Sequence, residues 1–357
     1  MKKRIALSMI MSVLLILLPV IANAHPGRTD SDGGHYCRTN CAKWGLKNGE
    51  YHYHNGGGSK SAPAATKKPT VKATTKPTAK PTSKPAATPA PAAIVMPKKQ
   101  AAGTLQVYFL DVGQGDSTLI RTPSNQYVLI DGGNNSQGAD VVKYLKTLGV
   151  TTLDAMVATH PDADHIGGLD DVLKALDVKS VYAPKVSHTT QTYKDFLTAV
   201  KNEGRTIKAV GKGVKIPLQG VDASFLAPVN TYGDNLNDWS AVLKVTFKSN
   251  SFLFTGDAEK ASESDMLADG TSLQADVLKV GHHGSNSSTS KAFIDAVKPS
   301  YAVISVGKNN YGHPDSGILS RLKNANASVL RTDQKGTITA ISDGNKITFT
   351  TTKGAGK

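Results

Sequence analysis

Hydrophobic and polar positions divide the chain into three regimes. Residues 5–21 are predominantly apolar, residues 59–100 are built from Pro, Ala, Thr and Lys, and from residue 104 short apolar runs alternate with turn residues. Within the last regime, residues 105–110, 118–120 and 127–130 read as strands because they are short apolar or alternating runs separated by stretches rich in turn residues. A helix over 139–148 leads to a strand at 153–158. Leu169, Val172, Leu173 and Leu176 then recur at helical spacing. Further on, the pattern predicts a strand at 180–183, a helix at 193–203, and a hairpin of 240–247 with 251–254. A strand at 275–280, a helix at 291–297 and strands at 301–306, 336–341 and 346–351 complete a mixed α/β domain over 101–357.

Chemistry-bearing residues cluster where these strands end. Asp131, His160, Asp257 and His282 each follow a predicted strand, so their side chains can converge on one sheet edge. The densest stretch is His160-Pro161-Asp162-Ala163-Asp164-His165, with four metal-binding side chains in six residues. Anionic carboxylate oxygens beside neutral imidazole nitrogens suit borderline divalent ions. One ion cannot readily use all four donors. Two ions about 3.5–4 Å apart, bridged by Asp257, are therefore expected, an arrangement suited to in-line displacement. Taken singly, Asp116 and Asp131 read as cap or turn residues. Asp111 reads as a residue that fixes its loop or orients a ligand.

The first regime changes the compartment. Lys2-Lys3-Arg4, the apolar stretch and Ala22-Asn23-Ala24 have the pattern of a secretory signal cleaved after Ala24, so 1–24 is assigned as signal peptide. Pro19 and the Ala-x-Ala ending speak against an uncleaved anchor. No other stretch is long and apolar enough to span a bilayer, and a secreted or extracytoplasmic protein is expected.

The net charge of +14 resembles a nucleic-acid signature until it is located. Residues 59–100 hold nine lysines and no acid, whereas residues from 101 onward hold 26 basic and 25 acidic side chains. The basic stretch cannot bury a core and reads as an extended linker. It could rest on an anionic cell wall or on DNA.

Between the two lies a small segment, 25–58, containing His25, His35, Cys37, Cys41, His52 and His54. Cys37 and Cys41 are the chain's two cysteines. In an exported protein they fit a short-loop disulfide, and the same six residues fit a zinc or copper site. Running from His25-Pro26-Gly27 through Gly33-Gly34-His35 to Tyr51-His52-Tyr53-His54, the segment resembles the small bacterial module named YHYH after its final motif. That resemblance implies no particular activity.

The domain over 101–357 is similar to the metallo-β-lactamase superfamily, whose main motif is His-x-His-x-Asp-His; here Asp162 takes the second His position. Asp111-Val112-Gly113-Gln114-Gly115-Asp116, Thr255-Gly256-Asp257, Gly281-His282-His283-Gly284-Ser285 and Tyr311-Gly312-His313-Pro314 resemble the extracytoplasmic domain of ComEC-type competence proteins. The resemblance implies an αββα sandwich and two divalent ions, zinc or manganese. His160 and Asp162 would hold one ion, Asp164 and His165 the other, and Asp257 would bridge. His282, first after its strand, is preferred over His283 as the remaining ligand. His283 is left to contact substrate or shuttle protons, with His313 lining the site. No histidine lies between His188 and His282, so the family's third metal histidine is missing. Asn237-Asp238-Trp239-Ser240 stands in its region.

The expected function is an exported metal-dependent hydrolase using a metal-bound hydroxide. Its substrate is expected to be the phosphodiester of nucleic acid or another anionic polymer, with Ser285, Asn237 and Ser240 on the substrate side. A cell-wall phosphodiesterase and a non-enzymatic wall- or DNA-binding protein with a degenerate site are the alternatives. The near-balanced charge of the domain shows no clear duplex-binding stripe.

Overall fold

The computed structural model describes residues 34–36, 51–53 and 103–353. The expected signal, the linker, and His25, Cys37, Cys41 and His54 lie outside the described residues. β1 (Gly34–Tyr36) and β2 (Tyr51–Tyr53) pair antiparallel with His35 opposite His52. They belong to a unit separate from the one that carries residues 103–353.

In that second unit the chain forms β3 (Leu105–Phe109), β4 (Thr118–Arg121) and β5 (Tyr127–Ile130). It continues through α1 (Gly138–Thr147) to β6 (Thr152–Leu153) and β7 (Ala155–Val157). Next come α2 (Ala163–Ile166), α3 (Leu169–Ala175), β8 (Asp177–Val178), β9 (Val181–Pro184), α4 (Gln191–Asn202) and β10 (Ile207–Val210). The second half comprises β11 (Asp222–Ala227), β12 (Val242–Phe247), β13 (Asn250–Phe254), α5 (Lys260–Ala268), β14 (Val277–Lys279), α6 (Lys291–Val297) and β15 (Tyr301–Ile304). It closes with α7 (Ser316–Asn324), β16 (Ser328–Arg331), α8 (Thr332–Lys335), β17 (Ile338–Ser342) and β18 (Ile347–Thr351).

Two sheets face each other. One has the order β10-β9-β7-β5-β4-β3-β17-β18, the other β11-β12-β13-β14-β15-β16. Strand alternation explains the packing. Val107, Phe109, Val128 and Ile130 point between the sheets, where they meet Phe225, Leu243, Val245, Phe252 and Phe254. Tyr108 and Leu129 point to the opposite face, against Val141 and Leu145 of α1, Leu169 and Val172 of α3, and Phe196 of α4. Leu253 and Leu278 of the second sheet turn outward onto Met266 of α5 and Phe293 of α6. Helices thus cover both outer faces, which is the αββα sandwich. Among the described residues no helix is long and apolar enough to cross a membrane.

The predicted hairpin is present, with β12 and β13 antiparallel and Phe247 opposite Asn250. β8, β10, β11, β16, α5, α7 and α8 were not anticipated. The central motif, read as a loop, contains the single turn α2.

Candidate metal centre

The site forms where β5, β7, β13 and β14 end. Leaving β7, the chain places His160 in a buried position; α2 then carries Asp164 and His165, with Asp162 as its N-terminal flanking residue. β13 delivers Asp257, and β14 runs into the turn of His282 and His283. Both histidines are left-handed, with φ of 45° and 50°, a conformation uncommon outside glycine. The two imidazoles differ in orientation, their ring planes 71° apart. Gly115 fits beside the motif because it has no side chain: a Cβ there would collide with the Asp164 carbonyl.

Three imidazoles have one nitrogen held and the other unengaged. His165 Nδ1 lies 2.8 Å from Asp131 Oδ2, and His283 Nδ1 donates to the Ser305 carbonyl at 2.9 Å. His160 Nδ1 lies 3.1 Å from Thr159 Oγ1. Their Nε2 atoms are buried and have no hydrogen-bond partner, as does Asp257 Oδ1. Donor atoms of His160, His165 and Asp257 fall within 4.8 Å of one another, and so do those of Asp164, His165 and His283. A buried polar atom without a partner is costly, and held Nδ1 atoms with free Nε2 atoms match the way imidazole is presented to a metal. The residues therefore fit divalent ions.

The charges support the same reading. Burial opposes a charge on His283, yet Asp257, Asp116 and Asp164 raise its pKa to about 10. His165 is likewise raised well above the usual histidine value by Asp257 and Asp131 against burial. Burial would raise the pKa values of Asp164 and Asp257, but neighbouring imidazoles pull both down. Carboxylates of this kind hold a cation in place, whether proton or metal.

The geometry reverses the order expected for the histidine pair. His283, 1% exposed, has Nε2 3.2 Å from Asp164 and 3.5 Å from Asp257. His282 is turned toward the solvent side; its Nδ1 lies 2.8 Å from Glu259 Oε1, and its Nε2 is 3.7 Å from Asp257. Glu259 is held ionised, its pKa lowered to about 2 against burial by His282, Ser287 and Asn237. Ser305 behind one ring and Glu259 beside the other decide the pair.

The remaining expected residues are distributed as follows. Asp162 Oδ2 lies 3.6 Å from His160 Nε2 with its side chain 39% exposed. Ser240 is fully buried and its hydroxyl accepts the Asp257 N–H at 3.0 Å, so it positions a cluster residue and does not face substrate. Asn237 Nδ2 donates to Glu259 at 3.2 Å, and the Ser285 hydroxyl is engaged with Ser287 at 2.8 Å. His313 borders the cluster, with its ring centroid 5.3 Å from that of His282. Burial, with His282 and His283, lowers its pKa to about 4, leaving it neutral near pH 7. His188 pairs with Thr190 at 3.2 Å and joins none of the donor groups, so no histidine among the described residues fills the third position.

Two residues have roles that sequence reasoning missed. Asp131 is fully buried, and it orients His165 instead of capping a turn. Lys279, 2% exposed, places Nζ 2.5 Å from Asp116 Oδ2, while Asp116 Oδ1 lies 3.4 Å from His283 Nδ1. The signal for Lys279 was a charge inside the apolar run Val277-Leu278-Lys279-Val280, since a buried lysine requires a partner.

A cavity of about 450 Å³ adjoins His160 and Pro161 and is lined largely by apolar side chains, including Ala183, Tyr193 and Phe196, with Lys185 and Ser187.

Fold and site together define a class. The sequence model described as "Metallo-beta-lactamase superfamily" matches residues 110–308, and the chain belongs to that superfamily. Among particular relatives, "ComE operon protein 3" of Bacillus subtilis (strain 168) is 36% identical over 251 residues, covering 65% of this chain and 32% of that protein. "Competence protein ComA" of Neisseria gonorrhoeae is 33% identical, covering 68% of this chain and 32% of that protein. "Recombination protein 2" of Haemophilus influenzae (strain ATCC 51907 / DSM 11121 / KW20 / Rd) is 32% identical, covering 69% and 30%. The chain thus spans about a third of the length of these curated relatives.

Proposed function

We propose that this chain is an exported, divalent-metal-dependent phosphodiesterase acting on nucleic acid. The observation that carries the metal-dependent part is the convergence of three buried, unpartnered Nε2 atoms with the Asp257 carboxylate. Relatives named for competence and recombination favour DNA as the polymer. The signal-like residues 1–24 support export.

His160, with Asp162 on its solvent side, would hold one ion. Asp164, His165 and His283 would hold the second, and Asp257 would lie between. Ions held there would activate water and neutralise the charge that builds on a phosphodiester during in-line displacement. Manganese and zinc both suit the mixture of carboxylates and imidazoles. Asp131 and Ser305 keep the imidazoles of His165 and His283 oriented, so that their Nε2 atoms stay available. His282, steadied by Glu259, would pass a proton at Nε2 to a departing oxygen. This role moves from His283, whose Nδ1 is held by the Ser305 carbonyl and whose Nε2 would be given to the ion.

The test is hydrolysis of bis-p-nitrophenyl phosphate, single-stranded DNA and duplex DNA by the full chain with manganese or zinc. Asp257→Ala and His283→Ala should each lose more activity than the about 10–100-fold typical of residues that only orient a ligand. His282→Ala should lose less with the activated p-nitrophenyl ester, whose leaving group needs no proton, than with DNA. Demonstrated metal binding with no hydrolysis of any of these substrates would sink the reading.

A further inference from the structure

Tyr311 is 73% exposed; the other large hydrophobic exposed among the described residues, Leu197, reaches 37%. A lone exposed aromatic ordinarily needs no explanation. The backbone that carries this one is held in place. Asn309 uses its whole hydrogen-bonding capacity on the loop: Oδ1 accepts the N–H of Tyr311 at 3.0 Å and of His313 at 3.1 Å, and Nδ2 donates to the carbonyls of Gly307 and His313, each at 2.9 Å. The loop's base is fixed as well. Gly307 N–H donates to Gln114 Oε1 at 3.3 Å, and a Cβ on Gly307 would collide with the Gly113 backbone.

The loop borders the metal centre. Ring centroids lie 5.7 Å apart from Tyr311 to His313, 5.3 Å from His313 to His282 and 6.0 Å from His282 to His283. Lys308, in the same loop, is exposed and has no ion pair among the described residues, and residues 306–313 contain no acid. A positive charge and an exposed aromatic face on an anchored loop, beside the centre proposed above to cleave phosphodiesters, are the two elements of a single-strand binding surface. A protein anchor would instead sit within a larger apolar surround, whereas the neighbours of Tyr311 are Asn310 and Gly312.

We propose that Tyr311 is a stacking platform for a nucleobase of a single-stranded nucleic-acid substrate. The choice of ligand rests on the phosphodiesterase reading above. Pre-organisation by Asn309 lowers the ordering cost of binding. A duplex, whose bases are already stacked, gains little from such a platform.

The experiment is equilibrium binding of the full chain to an oligothymidylate and to an abasic strand of equal length and charge, with chelator present so that no cleavage occurs. The thymidylate should bind about tenfold more tightly, as expected for one stacked base. Tyr311→Ala should abolish that preference, and Tyr311→Trp should keep it. Absence of a preference in the unaltered chain, an intact preference in Tyr311→Ala, or equal weakening of both strands would overturn the proposal. Hydrolysis of bis-p-nitrophenyl phosphate, measured in parallel, separates the two readings. Without hydrolysis, a base preference lost in Tyr311→Ala leaves the platform standing and removes the enzyme, whereas hydrolysis without any preference does the reverse.

Discussion

Asp131 carries much of the site's order without belonging to the motif that draws attention. Its carboxylate takes the Thr159 N–H at 2.8 Å, the Thr159 hydroxyl at 2.7 Å and His165 Nδ1 at 2.8 Å. These contacts hold the ring so that Nε2 faces Asp257 at 3.2 Å. Replacing the anion with a neutral amide leaves the shape but weakens the hold on the imidazole and its basicity. Asp131→Asn should therefore lower affinity for manganese or zinc about 10–100-fold, read by metal titration, with the far-ultraviolet circular dichroism of the native chain preserved.

Among the elements, α6 was the most legible: the helix predicted over 291–297 is α6, bounded by Lys291–Val297. Ser290 caps it, its hydroxyl accepting the Phe293 N–H at 3.3 Å. Ser290→Ala should cost about 1 kcal/mol of stability, measured as a shift in the urea midpoint. By contrast, α5 escaped notice because part of its inward face is polar. Ser262 and Glu263 are buried there, and Glu263 accepts the Thr289 and Ser290 N–H groups that begin the α6 segment. Burial raises the Glu263 pKa, with Ser290 and Thr289 working against it. A helix that docks through hydrogen bonds has no apolar stripe to betray it.

For the whole molecule, the cation-binding character of the cluster makes metal affinity depend on pH. Against burial, Asp257, Asp116 and Asp164 raise His283 to about 10, so the metal-free protein holds a proton there at neutral pH. An entering ion must displace it. Affinity should rise with pH by about tenfold per unit for each proton released, checked by calorimetry between pH 6 and 8 in buffers of different ionisation enthalpy. An affinity flat across that range would show that the histidines are neutral before the ion arrives. In the metal-free chain, the stabilisation from His283 is full below its ordinary value of 6.5 and is lost as pH rises through about 10. Chelation should therefore lower the thermal midpoint more at pH 9 than at pH 6.

The sequence by itself determined the inventory and its setting: donors in the motif from His160 to His165, Asp257, the histidine pair, and strand ends to carry them. Those features are local, written in the spacing of apolar runs and in residue chemistry. Only the tertiary structure decided which neighbour of the pair faces the cluster. His282 and His283 are the same residue type side by side, and Ser305 and Glu259, distant in the chain, distinguish them. Lys279 and Asp116 are likewise separated by most of the domain. Asp131 acquires its role by meeting Thr159 and His165 across two parallel strands. Contacts between remote segments have no local pattern, so the fold had to bring them together before their roles could be read.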